Sequence, residues 1–218
     1  MKAVIYGAVA VVAAAVGFGI YRYALAPHAP VAPVEQAAGP ASEPATPEPA
    51  AIPANLPDFS LQDREGNLRS IRSWQGKSMI VNFWATWCAP CRREIPLLKE
   101  IQKTQGGNGF QVVGVAVDFR EDVLKYAGEI GIDYPILIGE QDGLDAVTSF
   151  GMGSLGFPFT VFTDNQGRIV LTHLGELTQP QSVIMIDAVN RVNRGELTPD
   201  AARAVAAGQL EEIKAPEA

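Results

Sequence analysis

The sequence predicts an α/β domain built on a central mixed sheet flanked by helices. Three observations carry the prediction. Residues 80–84 and 111–117 are short apolar runs with the length and flanks of buried strands. Residues 90–105, 121–130 and 181–194 read as helices set between and after the strands. Residues 157–163 and 168–174 flank Asp164-Asn165-Gln166-Gly167, the pattern of an antiparallel hairpin.

The chain has 218 residues, enough for one such domain with extensions, and 47% of them are hydrophobic. A formal net charge of −7 with no basic run argues against a nucleic-acid partner. Composition divides the chain at residues 26, 54 and 196. Residues 3–20 carry no charge and, with residues 21–26, approach the roughly 20 residues a membrane-spanning helix needs. Lys2 precedes the stretch, and Tyr21, Arg22 and Tyr23 follow it as interfacial residues do. Residues 1–26 are therefore expected to be a signal anchor with the N-terminus inside. A signal peptide cleaved after Ala24-Leu25-Ala26 is the alternative, which Pro27 at the first mature position disfavours. Residues 27–54 are rich in Pro and Ala and poor in large apolar side chains, the composition of a disordered tether. At about 3.1 Å per residue in extended geometry its reach is at most about 80 Å.

Residues 55–196 form the expected globular domain. It opens with a hairpin, residues 59–62 and 67–70, with Gly66 in the turn. Gly76-Lys77 then leads into the strand ending at Trp84. A tight loop follows, and a helix starts near Pro90, a residue suited to a position with no N–H to donate. Pro96 inside that helix is expected to kink it, and residues 106–109 end it. After the strand 111–117 come a helix at 121–130, a short strand at 134–138 and a short helix at 144–150. The hairpin and a helix at 181–194 complete the domain, with Val183, Ile184, Ile186, Val189 and Val192 expected to face inward. Residues 197–218 are a tail, and Thr198-Pro199-Asp200 looks like the start of a helix.

The two cysteines of the chain, Cys88 and Cys91, fall at the turn from strand to helix. Cys88 at the helix N-terminus meets unpaired N–H groups and the positive end of the dipole, which lowers a thiol pKa from its free value of about 8.5. Cys91, one turn further in, is expected to be less exposed than Cys88. Such an asymmetric pair suits thiol–disulfide exchange, with Cys88 attacking a substrate disulfide and Cys91 resolving the mixed disulfide. A structural bridge over so small a loop adds little stability. A zinc site needs two more ligands, and only His28 and His173 are on offer. No metal ligand is therefore assigned. A Cu(I)-binding module using the same two cysteines is the alternative from another class.

The segment Val81-Asn82-Phe83-Trp84-Ala85-Thr86-Trp87-Cys88-Ala89-Pro90-Cys91, followed by Glu94 and Pro96, resembles the thioredoxin superfamily. Within it, the match is to the membrane-anchored TlpA/ResA-like thiol–disulfide oxidoreductases, relatives of CcmG (DsbE). The resemblance spans residues 56–194. It implies a thioredoxin fold with an N-terminal β-hairpin and a strand–helix insertion at residues 134–150. It implies that Phe157-Pro158 carries a cis-proline facing the disulfide, with Phe157 shaping the substrate contact. Glu94, three residues after Cys91 and on about the same helix face, is then an acid that moves protons for the cysteines. Ordinary thioredoxins place an Asp where Asn82 stands, and Asn82 cannot ionise. Trp84 is expected in the core and Trp87 as a cover facing substrate, while Lys77 and Asp118 are expected to be solvated.

The resemblance also implies the setting. The domain lies outside the cytoplasm, in the periplasm or its equivalent. Its substrate is a protein disulfide or apocytochrome c, and a membrane electron donor of the DsbD/CcdA type re-reduces it. No cofactor beyond the Cys88–Cys91 disulfide is called for. A disulfide-donating oxidase remains the alternative direction. Gly151-Met152-Gly153-Ser154-Leu155-Gly156 matches a dinucleotide-binding string but runs into a strand, not a helix, so that reading is rejected. A peroxidase would need Pro and Thr where Val81 and Ala85 stand.

Overall fold

The computed structural model describes residues 52–151 and 156–214. The expected anchor at residues 1–26 and all but the last residues of the tether lie outside the described residues. Among the described residues no helix is long and apolar enough to cross a membrane.

Among the described residues seven strands form one sheet: β1 (Ser60–Gln62), β2 (Leu68–Ser70), β3 (Ser78–Trp84), β4 (Phe110–Val117), β5 (Ile136–Gly139), β6 (Phe159–Thr163) and β7 (Ile169–Leu174). Their spatial order is β2-β1-β5-β4-β3-β6-β7. β3, β4 and β5 run parallel, whereas β6 is antiparallel to β3, β7 to β6, and β1 to both β2 and β5. The flanking helices are α1 (Ala89–Gln105), α2 (Arg120–Glu129), α3 (Gln141–Thr148), α4 (Gln179–Asn193) and α5 (Pro199–Lys214). This is the mixed α/β sandwich that the sequence predicts.

β3 and β4 are buried along their whole length. Parallel strands covered on both faces carry apolar side chains on both, and this is why these two read as runs rather than alternations. Ile80 and Trp84 point to the face covered by α1, α2 and α4, and Val81 and Phe83 to the face covered by α3. Asn82 shares the face of Ile80 and Trp84 by the two-residue period of a strand. That places it beneath α1.

α1 continues through Pro96 as one helix, with the proline on its exposed side. α3 begins three residues earlier than expected, at Gln141, because Asp142 falls in its first turn and Phe150 leaves the helix to fill the core. α4 corrects the expected inward face. Its buried residues are Ser182, Met185, Ala188, Val189 and Val192; Val183 is exposed, and Ile184 and Ile186 are only half-buried. The Thr178–Gln181 capping box sets where the helix starts, and that phase turns Val183 outward. The tail forms α5, which buries Ala202 and Ala206, while Arg203 donates to the Ile169 carbonyl at the edge strand β7 (2.6 Å). The junction of tether and domain pairs with the same edge: Ile169 N–H donates to the Ala54 carbonyl, and Leu56 N–H to the Gly167 carbonyl (both 2.9 Å).

Gly114 of β4 lies beside Asn82 of β3 in register. A Cβ there would stand 3.0 Å from Trp84 Nε1 and 3.1 Å from Tyr134 Cε2, both buried. We expect Gly114→Ala to lower stability by about 1–3 kcal/mol through overpacking. An unchanged urea midpoint would show that the two rings yield freely.

Candidate active site

The site is assembled at the carboxyl ends of the parallel strands, where β3 turns into α1. Cys88 is the N-cap of α1 and Pro90 sits in its first turn. Cys88 and Cys91 are joined by a disulfide, and Cys88 Sγ also accepts from the Cys91 N–H at 3.3 Å. Both cysteines are buried, Cys91 completely and Cys88 with 5% of its surface exposed. Cys91 is thus the less exposed of the two, as expected, though Cys88 itself is also largely covered, and any approaching sulfur meets Cys88 first. The neighbouring Trp87 takes the exposed position instead, with 68% of its surface in solvent. Its ring stands edge-on to Phe157 at 6.0 Å, and Trp84 is fully buried. The Phe157–Pro158 peptide bond is cis. The Pro158 carbonyl accepts from Gly175 N–H at 2.8 Å, so the loop is tied to the end of β7.

Glu94 is the only acidic side chain in α1's buried face, 1% exposed. Asn82 Nδ2 donates to its Oε1 at 2.7 Å, and the Leu177 N–H donates to its Oε2 at 2.8 Å. Asn82 Nδ2 also donates to Thr160 Oγ1 at 2.9 Å. Burial disfavours the carboxylate and raises the Glu94 pKa to about 7; the two hydrogen bonds pull it back only in part. A carboxyl that titrates near neutrality is suited to accepting and returning protons. Next to it, Glu176 forms an ion pair with Arg93 at 2.5 Å, so two successive residues of α1 grip the turn after β7.

Asp118, expected to be solvated, instead holds the loop before the cysteines. Its Oδ2 accepts from both Thr86 N–H (2.9 Å) and Thr86 Oγ1 (2.5 Å), and its Oδ1 accepts from Phe119 N–H (2.8 Å). Its place at the end of β4 was a usable signal, since sites in such sheets gather at the carboxyl ends of strands. Leu177 gave none, because only its backbone is used. Lys77 lies away from this end, donating to Gln111 at 3.3 Å. Asp118→Ala should cost about 1–3 kcal/mol by leaving half-buried donors unmet. A denaturation midpoint equal to the parent's would remove Asp118 from the loop's support.

Residues 53–206 match the Redoxin family. The chain is 33% identical over 130 residues to the thiol-disulfide oxidoreductase ResA of Geobacillus thermodenitrificans, covering 59% of this chain and 72% of that one. It is 32% identical over 137 residues to the thioredoxin-like protein YneN of Bacillus subtilis, covering 60% and 76%. Among solved structures, a thiol:disulfide interchange protein of the thioredoxin family from Chlorobium tepidum superposes with a TM-score of 0.55 at 32% identity, covering 66% of this chain and 97% of that one. The Redoxin match runs across β3, the cysteine pair and the Phe157–Pro158 loop of this chain. The chain belongs to the Redoxin family within the thioredoxin superfamily, and it is a thiol–disulfide oxidoreductase of the ResA type.

Proposed function

We propose that the protein is a reductase of protein disulfides outside the cytoplasm, held at the membrane by residues 1–26 and re-reduced by a membrane dithiol donor of the DsbD/CcdA type. Apocytochrome c is a candidate substrate. The observation that carries the reading is Glu94, a buried carboxyl one helical turn from Cys91 that titrates near pH 7. Once ionised, it opposes thiolate formation at the pair, which makes the dithiol a better electron donor.

In this mechanism the Cys88 thiolate attacks one sulfur of the substrate disulfide. That S–S bond breaks, and the departing substrate thiolate takes a proton from solvent. Cys91 passes its proton to the Glu94 carboxylate and attacks Cys88 sulfur in the mixed disulfide. The second substrate sulfur leaves as a thiolate and is protonated. Two electrons have moved to the substrate, and the Cys88–Cys91 disulfide has formed. Trp87, Phe157 and Pro158 form the surface on which the substrate chain rests.

The test is the reduction potential of the protein, read by tryptophan fluorescence in thiol buffers. A value near about −270 mV supports a reductase, whereas one near about −120 mV reverses the direction of electron flow and favours a disulfide donor.

A further inference from the structure

A cavity of about 460 Å³ lies at the end of the sheet opposite the disulfide. Three segments meet there: the chain as it enters the domain at Asn55 and Leu56, the turn at residues 72–77 that leads into β3, and the turn at residues 165–167 between β6 and β7. Cys88 follows the far end of β3. The seven residues of that strand, at about 3.3 Å each, put about 20 Å between cavity and dithiol.

Its lining is charged with one sign. Arg72 and Lys77 line the cavity, and among the described residues no carboxylate does. The acids of the adjoining segments are turned elsewhere. Asp164 is buried in its own turn, where it accepts from the Gln166 and Arg168 N–H groups and pairs with Arg168 Nε at 2.6 Å. Asp58 pairs with Arg72 Nε at 2.8 Å, but both side chains are exposed, so the pair holds weakly and leaves the other guanidinium N–H groups open. Lys77 Nζ donates to Gln111 Oε1 at 3.3 Å, a neutral acceptor that leaves its charge unopposed. Neutral donors complete the lining. The Gly76 N–H donates to no described residue, and neither do the side-chain amides of Asn55, Gln75, Asn165 and Gln166.

We propose that this cavity binds a phosphate group, with Arg72 and Lys77 supplying the charge and the Gly76 N–H and the amides the neutral hydrogen bonds. The group arrives as free phosphate or on the headgroup of an anionic lipid. A guanidinium presents parallel N–H groups to two phosphate oxygens, and an ammonium adds a point charge that needs no fixed geometry. A lining of donors without a carboxylate favours an anion rich in acceptor oxygens and repels a cation. The net charge of −7 does not oppose this, because charges beyond about 8 Å are screened at physiological salt and the cavity's own cations decide. Both cations lie at the amino end of β3, so a phosphate held there leaves the exchange step at the other end alone. The site is thus independent of the direction of electron flow.

The test follows acylation of Lys77 by an amine-reactive ester in the full-length protein, reconstituted in phosphatidylcholine vesicles. Peptide mass spectrometry compares it with Lys125, an exposed lysine of α2 outside the cavity. Inorganic phosphate at about 10 mM should slow Lys77 labelling about 5-fold and leave Lys125 unchanged, while sodium chloride of equal ionic strength should slow neither. Arg72→Ala should raise the phosphate concentration needed about 10-fold, through loss of the charged hydrogen bonds, and should reduce disulfides at the parent's rate. Phosphatidylglycerol vesicles without added phosphate form the second arm. Protection of Lys77 there assigns the group to a lipid headgroup; protection by free phosphate alone assigns it to a soluble ion. Labelling that neither phosphate nor phosphatidylglycerol slows, that chloride slows equally, or that Arg72→Ala leaves as well protected as the parent, would overturn the site.

Discussion

A Cys91→Ser protein will form the mixed disulfide with its substrate and stop there. Cys91 is fully buried, within one helical turn of Cys88 and already bonded to it in the oxidised state. It therefore attacks as an intramolecular group, for which effective molarities of about 10⁵ M and above are reached when geometry is good. Without it, only an external thiol can release the adduct, and Cys88 offers such a thiol just 5% of its surface. Turnover should fall at least about 10³-fold when external thiol is near about 1 mM. The adduct should be visible by intact-mass spectrometry under non-reducing conditions, and Cys88→Ser should form none. If Cys91→Ser kept half the parent's turnover and accumulated no adduct, the resolving role would belong elsewhere.

The second large effect is at Glu94. Its pKa of about 7 in the folded protein stands above the 4.5 of an ordinary glutamate. A carboxyl raised in this way holds its proton more tightly in the folded state. Its contribution to stability is whole below about pH 4.5 and declines as pH rises towards 7, because the folded protein must then ionise a buried group. The oxidised protein should lose about 3 kcal/mol across that window from this one residue. In Glu94→Gln the pH dependence in that interval should largely disappear. The substitution is tolerable on geometry. Its Oε1 can accept from Leu177, and its new N–H needs an acceptor, which Asn82 Oδ1, buried and without a partner in the described residues, supplies if the Asn82 amide turns over. The reduced protein gives a separate readout. Losing the carboxylate should move the midpoint of thiol alkylation about one pH unit lower, since the negative charge no longer opposes the thiolate. Superimposable alkylation profiles for parent and variant would end the proton-transfer role, and an unchanged stability slope would end the assignment of its pKa.

The two predictions draw on residues that differ in how openly the sequence announces them. Cys88 and Cys91 are two residues apart at a strand-to-helix turn, and their unequal surroundings follow from where a helix begins. Glu94 is visible as a candidate because three residues along a helix return to about the same face. Its burial is not visible, since the sequence shows a carboxylate followed by Ile95 and Pro96 and a surface position would look the same. Its second hydrogen bond comes from the Leu177 backbone, 83 residues away. Asp118 shows the opposite case: an acid at the end of a strand that reads as solvated until the loop carrying Thr86 is folded against it. Val183 shows the limit of periodicity, because α4 carries more apolar residues than its buried face holds, and only the cap sets the phase.

What the sequence by itself determined is everything that depends on local order along the chain. The apolar runs of β3 and β4, the helix start at Cys88 and Pro90, the hairpin about Gly167 and the dithiol itself are properties of neighbours, and neighbours carry their own signals. What only the tertiary structure decided is the state of groups whose surroundings are brought from far along the chain. Burial beneath the sheet lifts the Glu94 pKa, Asp118 becomes a clamp, and Trp87 rather than Cys88 takes the exposed position. Desolvation and charge are set by distance in space, and the chain's sequence encodes that distance only through the fold.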